Sequence, residues 1–148
     1  MMRFLPFLGF PRRVIVHTDG AIRLDQGASG LAAVVHDESG NLRALWARRV
    51  GRLTCNEAEY AAAFLALEHL LPHKPEEILL MSDSQVMVHQ MSGLATAQSP
   101  KLKQAQAKLR TLVVQFEQVS FQHIPREQNR LADALANEAA DGKEQTYG

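Results

Sequence analysis

The sequence predicts a single α/β domain, a five-stranded mixed sheet with helices on both faces. Three strand-like runs come first, separated by short polar turns. Helices then alternate with two further apolar strands, and the last element is a helix. The chain has 148 residues, 46% of them hydrophobic, which is enough to build one real core.

The first strand is the β-branched run Val14-Ile15-Val16, followed by His17-Thr18-Asp19-Gly20. Asp19 ends this apolar run, where a bare carboxylate is costly unless something compensates it. A plainer reading makes Asp19-Gly20 a hairpin turn. Residues 21–28 form a turn. Leu31 to His36 is a second strand, residues 37–41 a polar turn, and Leu42 to Val50 a third strand, giving an antiparallel meander.

Thr54 with Glu57, or Asn56 with Glu59, has capping-box spacing and opens a helix that runs to about Leu71, before Pro72 and Pro75. Its apolar residues form two stripes, so much of its surface is buried. Ile78-Leu79-Leu80-Met81 is a short buried strand, parallel to the first, ending in Ser82-Asp83-Ser84. A short helix to Met91, a loop over 92–99 and a helix from Lys101 to about Glu117 follow. Leu102, Ala105, Leu109, Leu112 and Phe116 share one face of that helix. Val119 to Ile124 is the last strand, and a helix spans roughly Gln128 to Ala140.

The expected organisation is an N-terminal extension over residues 1–12, a domain over 13–140 and a frayed tail over 141–148. The apolar extension is too short for a membrane span and lacks the pattern of a signal peptide. It is expected to pack on the domain or to be partly disordered. The single cysteine, Cys55, rules out a disulfide within this sequence and fits a reducing compartment. The formal net charge is zero. With four of the 16 acids gathered in one site, 16 bases would face 12 acids elsewhere, a surface better suited to a polyanion.

Four acids in four elements suggest such a site. Asp19 and Asp83 end adjacent parallel strands, where α/β ligands bind. Glu59 lies in the first turn of the long helix, and Asp133 sits among Leu131, Ala132, Ala134, Leu135 and Ala136. Each has an ordinary reading as turn, cap or solvated residue. Converging, they would repel and raise one another's pKa values, and hard divalent cations would remove that penalty.

Four stretches carry these acids: His17-Thr18-Asp19-Gly20, Asn56-Glu57-Ala58-Glu59-Tyr60, Ser82-Asp83-Ser84-Gln85, and His123-Ile124-Pro125-Arg126-Glu127-Gln128-Asn129-Arg130-Leu131-Ala132-Asp133-Ala134-Leu135-Ala136-Asn137. Together and in this order they resemble the four motifs of type 1 ribonuclease H, in particular its compact archaeal-like branch.

The resemblance implies a ribonuclease H-like fold and a metal-dependent endonuclease that cuts the RNA strand of RNA–DNA hybrids. It implies two Mg2+ or Mn2+ ions held by Asp19, Glu59, Asp83 and Asp133, and products with 5′-phosphate and 3′-hydroxyl ends. His123, ten residues before Asp133, matches a proton-shuttling histidine, and Arg126 is its rival on the same loop. Asn56 and Gln85 match polar contacts to the nucleic-acid strands, and Gly20 lets the main chain approach. Arg52 and Thr54 match a pocket for a phosphate of the DNA strand. The implied setting is a monomer in the cytoplasm or nucleoid with no membrane partner. Double-stranded RNA stays open as a further substrate.

Two departures stand out. The family's longer members carry a basic protrusion where residues 92–99 contain no base, although Lys101, Lys103 and Lys108 offer a substitute surface. Cys55 occupies a position beside Asn56 that is polar in many relatives. The competing classes are a hybrid-binding module without catalysis, another two-metal nuclease of the superfamily, and a structural domain. All four acids are present, which argues against the first. The last leaves Asp83 and Asp133 without a cause.

Overall fold

The computed structural model describes residues 10–148. The expected N-terminal extension falls mostly on residues 1–9, outside the described residues. The domain is built from β1 (Arg13–Arg23), β2 (Ala28–Asp37), β3 (Leu42–Val50), α1 (Cys55–Leu70), β4 (Glu77–Ser82), α2 (Gln85–Met91), α3 (Pro100–Val113), β5 (Gln118–His123), α4 (Arg130–Ala140) and β6 (Gln145–Tyr147). The strands form one sheet in the order β5-β4-β1-β2-β3-β6. β1, β2 and β3 are the expected antiparallel meander, and β4 and β5 add in parallel on the other side of β1.

Alternation along the strands sends side chains to two cores. Val14, Val16, Leu31, Ala33, Val35 and Trp46 face α1, α2 and α3, while Ala32, Val34 and Ala47 face α4. α1 is buried on much of its circumference, as its two apolar stripes predict, and the Thr54–Glu57 pair forms its capping box. That leaves Glu59 free of any capping duty.

Two glycines allow helices to approach the sheet from opposite faces. A Cβ on Gly20 would lie 2.7 Å from the Ala58 main chain in α1, and one on Gly30 would lie 1.9 Å from the Ala136 carbonyl oxygen in α4.

The structure differs from expectation in three places. The sheet has six strands rather than five. The tail expected to fray supplies β6, which pairs antiparallel with β3 from Ala47↔Gln145 to Leu45↔Tyr147. β6 is exposed throughout, so it carries no apolar pattern, and it pairs through main-chain groups on the free edge of β3. β1 does not end at Asp19 but continues to Arg23, because β2 pairs with it all the way to Arg23↔Ala28. Finally, α3 stops at Val113 and α4 starts at Arg130, after a 3₁₀ turn over Arg126–Gln128.

Candidate active site

The site forms where β1 outruns β4. Their parallel pairing ends at Thr18↔Ser82, so the next stretch of β1 has no strand on that side. The free Gly20 N–H donates to Glu59 Oε1 at 3.1 Å, and to Asp19 Oδ1 at 3.0 Å. Asp83 follows the last residue of β4 and lies beside them. One carboxylate oxygen from each of Asp19, Glu59 and Asp83 falls within 4.8 Å of the others.

These acids are taken out of water together. Asp19 is only 3% exposed, and Glu59 and Asp83 are half-buried. Burial, and then the charges of Glu59 and Asp83, push the Asp19 carboxyl up to about 9. Burial and Asp83 push Glu59 up to about 7, against the pull of the Gly20 N–H, Asp19 and Arg126. Burial also raises Asp83, opposed by Arg126, the Asn129 amide and His123.

Asp19 Oδ2 and Asp83 Oδ2 are buried without a hydrogen-bond partner. Orphaned carboxyl oxygens in such a group fit hard divalent cations, which take oxygen ligands and offset the repulsion. Asp133 approaches from α4 and stands near enough to Asp19 to raise its pKa further. Asp133 is more open than Asp19 and lies outside the tight group of three.

The sequence matches the reverse transcriptase-like family over residues 17–139. The crystal structure of the ribonuclease H1 from the archaeon Halobacterium salinarum superposes with a TM-score of 0.83 at 36% identity, covering 88% of this chain and 99% of that one. The chain belongs to the ribonuclease H family. The N-terminal ribonuclease H domain of a bifunctional protein from Mycobacterium tuberculosis superposes with a TM-score of 0.82 at 32% identity, covering 87% and 94% of the two chains. A ribonuclease H1 isolated from compost, solved in complex with an RNA/DNA hybrid, gives 0.81 at 36% identity over 86% and 96%. Against full-length curated proteins, the chain spans 65% of the Halobacterium salinarum ribonuclease HI and 37% of the mycobacterial protein.

In this ribonuclease H domain the remaining sequence-selected residues are spread over several elements. His123 ends β5 in register with Ser82, exposed on the Asp83 side. Arg126 is exposed too, its Nη2 4.0 Å from Asp133 Oδ1. Asn56 is half-buried in the first turn of α1, and Gln85 is exposed at the first position of α2. The Arg52 guanidinium lies against Gly27, where a Cβ would come within 3.2 Å of Nη2.

Thr54 is the N-cap, its hydroxyl oxygen accepting from Glu57 N at 3.2 Å. The hydroxyl proton plays no part in that bond. Gly20 allows a close approach, and the group that comes close is α1. Lys108 is exposed on α3, with its Nζ 4.8 Å from the Phe64 ring centroid.

Asn129 is a residue to which the sequence assigned no role of its own. Asn129 is 1% exposed, and its Nδ2 donates to the Thr18 carbonyl at 2.9 Å, bridging α4 to β1 beside Asp19. It precedes α4 as its N-cap but makes no side-chain capping bond. An asparagine before a helix normally signals a cap, and that ordinary signal concealed this one.

Proposed function

We propose that the protein is a ribonuclease H that hydrolyses the RNA strand of RNA–DNA hybrids, with Asp19, Glu59, Asp83 and Asp133 holding two divalent cations, Mg2+ or Mn2+. The carrying observation is the convergence of Asp19, Glu59 and Asp83 within 4.8 Å, with buried, unpartnered oxygens on Asp19 and Asp83. Family membership and the hybrid bound to the compost enzyme support the same substrate.

When bound, the ions supply an activated water and charge stabilisation at the leaving 3′ oxygen, which gives 5′-phosphate and 3′-hydroxyl ends. The chain itself supplies a preorganised frame. Asp19 and Asp83 are fixed by adjacent parallel strands, and Glu59 by its bond to the Gly20 main chain. In this reading His123, exposed beside Asp83, serves proton transfer near the departing product, and Arg126 meets a phosphate. Asn56 and Gln85 offer amides that donate and accept at once, suited to base edges and 2′-hydroxyls. Arg52 and the Thr54 hydroxyl, close in sequence and both exposed, suit a phosphate of the DNA strand.

A single copy of the chain carries all four acids, so we take the working form to be a monomer, acting in the cytoplasm where hybrids arise. Among the described residues, no helix is long and apolar enough to cross a membrane.

The test is cleavage of a short RNA–DNA hybrid with end-labelled RNA, in Mg2+, Mn2+ or chelator, beside an Asp19→Asn variant, an all-DNA duplex and a double-stranded RNA. Internal cuts in the RNA that need metal and vanish in Asp19→Asn are expected. Hybrid binding without cleavage in either metal would reduce the protein to a binding module. Equal cutting of the DNA duplex would move it to another branch of the superfamily. The double-stranded RNA arm decides whether that substrate is shared.

A further inference from the structure

Asp133, unlike Asp19 and Asp83, is not anchored by a strand. Its Oδ1 accepts from Asn137 Nδ2 at 3.2 Å, one helical turn further along α4, and the same nitrogen donates to the Asp133 carbonyl at 2.8 Å. Asn137 Oδ1 in turn accepts from Arg23 Nη2 at 3.1 Å. Arg23 is the last residue of β1, four residues beyond Asp19. Asp141, just past α4, holds its guanidinium through Nε–Oδ1 at 2.8 Å and Nη2–Oδ2 at 3.2 Å.

The chemistry of these groups fixes the Asn137 amide in one orientation. A guanidinium only donates, whereas a carboxylate and a carbonyl only accept. The amide oxygen must therefore face Arg23, and the NH2 must face Asp133. The reverse orientation would set N–H against N–H and oxygen against two oxygens. Arg23 can hold the amide this way because its planar fork grips Asp141 and still directs one nitrogen at Asn137, a geometry that lysine lacks. Arg126 Nη2, 4.0 Å away, approaches the same Asp133 Oδ1.

We infer that Arg23 and Asn137 are positioning residues for the fourth acid: the chain Asp141–Arg23–Asn137–Asp133 engages Asp133 Oδ1, turns Oδ2 toward a divalent cation, and ties α4 to the strand that carries Asp19. This rests on the proposed metal-holding role of Asp133. Arg23 and Asp141 lie just beyond the first and fourth motifs, three residues after Gly20 and four after Asn137, so the device adds to the four acids without being one of them. Groups that orient a ligand in this way typically alter metal affinity or activity by about 10–100-fold when removed.

The test is calorimetric titration of Mn2+ into the whole protein and into Asn137→Ala, Arg23→Ala, Arg23→Lys and the Arg23→Ala/Asn137→Ala double variant. Thermal melts in chelator and the Mg2+ dependence of hybrid cleavage accompany it. Asn137→Ala is expected to weaken the weaker Mn2+ site about ten-fold. Arg23→Ala shifts it in the same direction, Arg23→Lys fails to restore it, and the double variant is no worse than Asn137→Ala alone because the two act in series.

Arg43→Ala, which breaks the Arg43–Asp37 pair at the opposite end of the sheet, should leave Mn2+ affinity unchanged. A lower melting temperature with unaltered Mn2+ affinity in Asn137→Ala and Arg23→Ala would overturn the inference, as would additive effects in the double variant. A wild-type protein that neither binds Mn2+ nor cuts hybrid would instead overturn the proposed function itself.

Discussion

Glu59 Oε1 accepts a hydrogen bond from the main-chain N–H of Gly20 at 3.1 Å, and Gly20 is also a point where the main chain of α1 presses on β1. One contact therefore sets both the helix position and the reach of its acid. In Gly20→Ala the new Cβ meets the Ala58 main chain at 2.7 Å, and a main chain cannot rotate away. The first turn of α1 must retreat and carry Glu59 with it. Stability should fall by about 1–3 kcal/mol through overpacking. Hybrid cleavage should fall by about ten-fold or more, because small displacements of catalytic groups are costly. Thermal melting and initial rates measure the two effects, and wild-type rates in Gly20→Ala would show that the contact is not needed.

Asn129 secures the opposite side of the site. Asn129→Ala leaves the Thr18 carbonyl without its donor and should cost about 1–3 kcal/mol. Asn129→Asp should be worse, since a carboxylate there faces a carbonyl oxygen and adds a charge beside Asp83. Chemical denaturation ranks the pair, and an Asn129→Asp protein as stable as Asn129→Ala would refute this reading of the bond.

The residues that could be foreseen and those that could not differ in kind. The strand positions of Asp19 and Asp83, the antiparallel meander and the parallel neighbour of β1 were legible because apolar runs predict strands, and parallel strands bring their carboxyl ends together. α1 was legible from Thr54 and Glu57 at its start and Pro72 beyond its end. Asn129 and Arg23 were not legible, because each acts across more than 110 residues of sequence on a main-chain or amide partner. No local spacing records such a contact. β6 was missed for a related reason: it is held by main-chain pairing, and its side chains do not alternate. The continuation of β1 past Asp19 depends on pairing with β2, which draws residues 21–23 and Ala28 out of the expected turn.

Removing residues 143–148 tests what β6 contributes. The strand is exposed and only three residues long, but it brings the Glu144 carboxylate to Arg49 N at 2.8 Å and the Gln145 carbonyl to Arg48 Nη1 at 2.9 Å. Truncation should cost about 1–2 kcal/mol, as expected for the loss of a few partly exposed hydrogen bonds. It should leave cleavage within about two-fold of wild type, since β6 lies on the far edge of the sheet from β4. The accompanying liability is association: β3 regains a free edge, and light scattering at increasing concentration should detect it. A truncated protein as stable as the full chain would mean that β6 adds nothing.

The acid cluster should make the metal-free protein less stable as pH rises. Asp19 has a folded pKa raised to about 9 and Glu59 one raised to about 7, so the folded state holds protons that the unfolded chain has released. Stability from such groups is fully present below their unfolded pKa values, near 4, and is lost as pH rises through the folded ones. Between pH 7 and 9 the groups with lowered pKa values contribute little slope, and Asp83, raised by burial, acts in the same direction as Asp19 and Glu59. Asp37, Glu57 and Asp141, with lowered pKa values, are ionised in both states, and His17, lowered by burial and by His36, is mostly neutral in both. In chelator, stability should therefore fall by about 1 kcal/mol per pH unit across this window. Asp19→Asn removes the largest contributor, so it should flatten the slope and melt above wild type at pH 9. Millimolar Mg2+ or Mn2+ should stabilise the wild type increasingly as pH rises and should stabilise Asp19→Asn far less. Melting curves at three pH values, with chelator and with metal, are sufficient. Parallel slopes in wild type and Asp19→Asn would show that the Asp19 carboxyl is not held protonated by its neighbours.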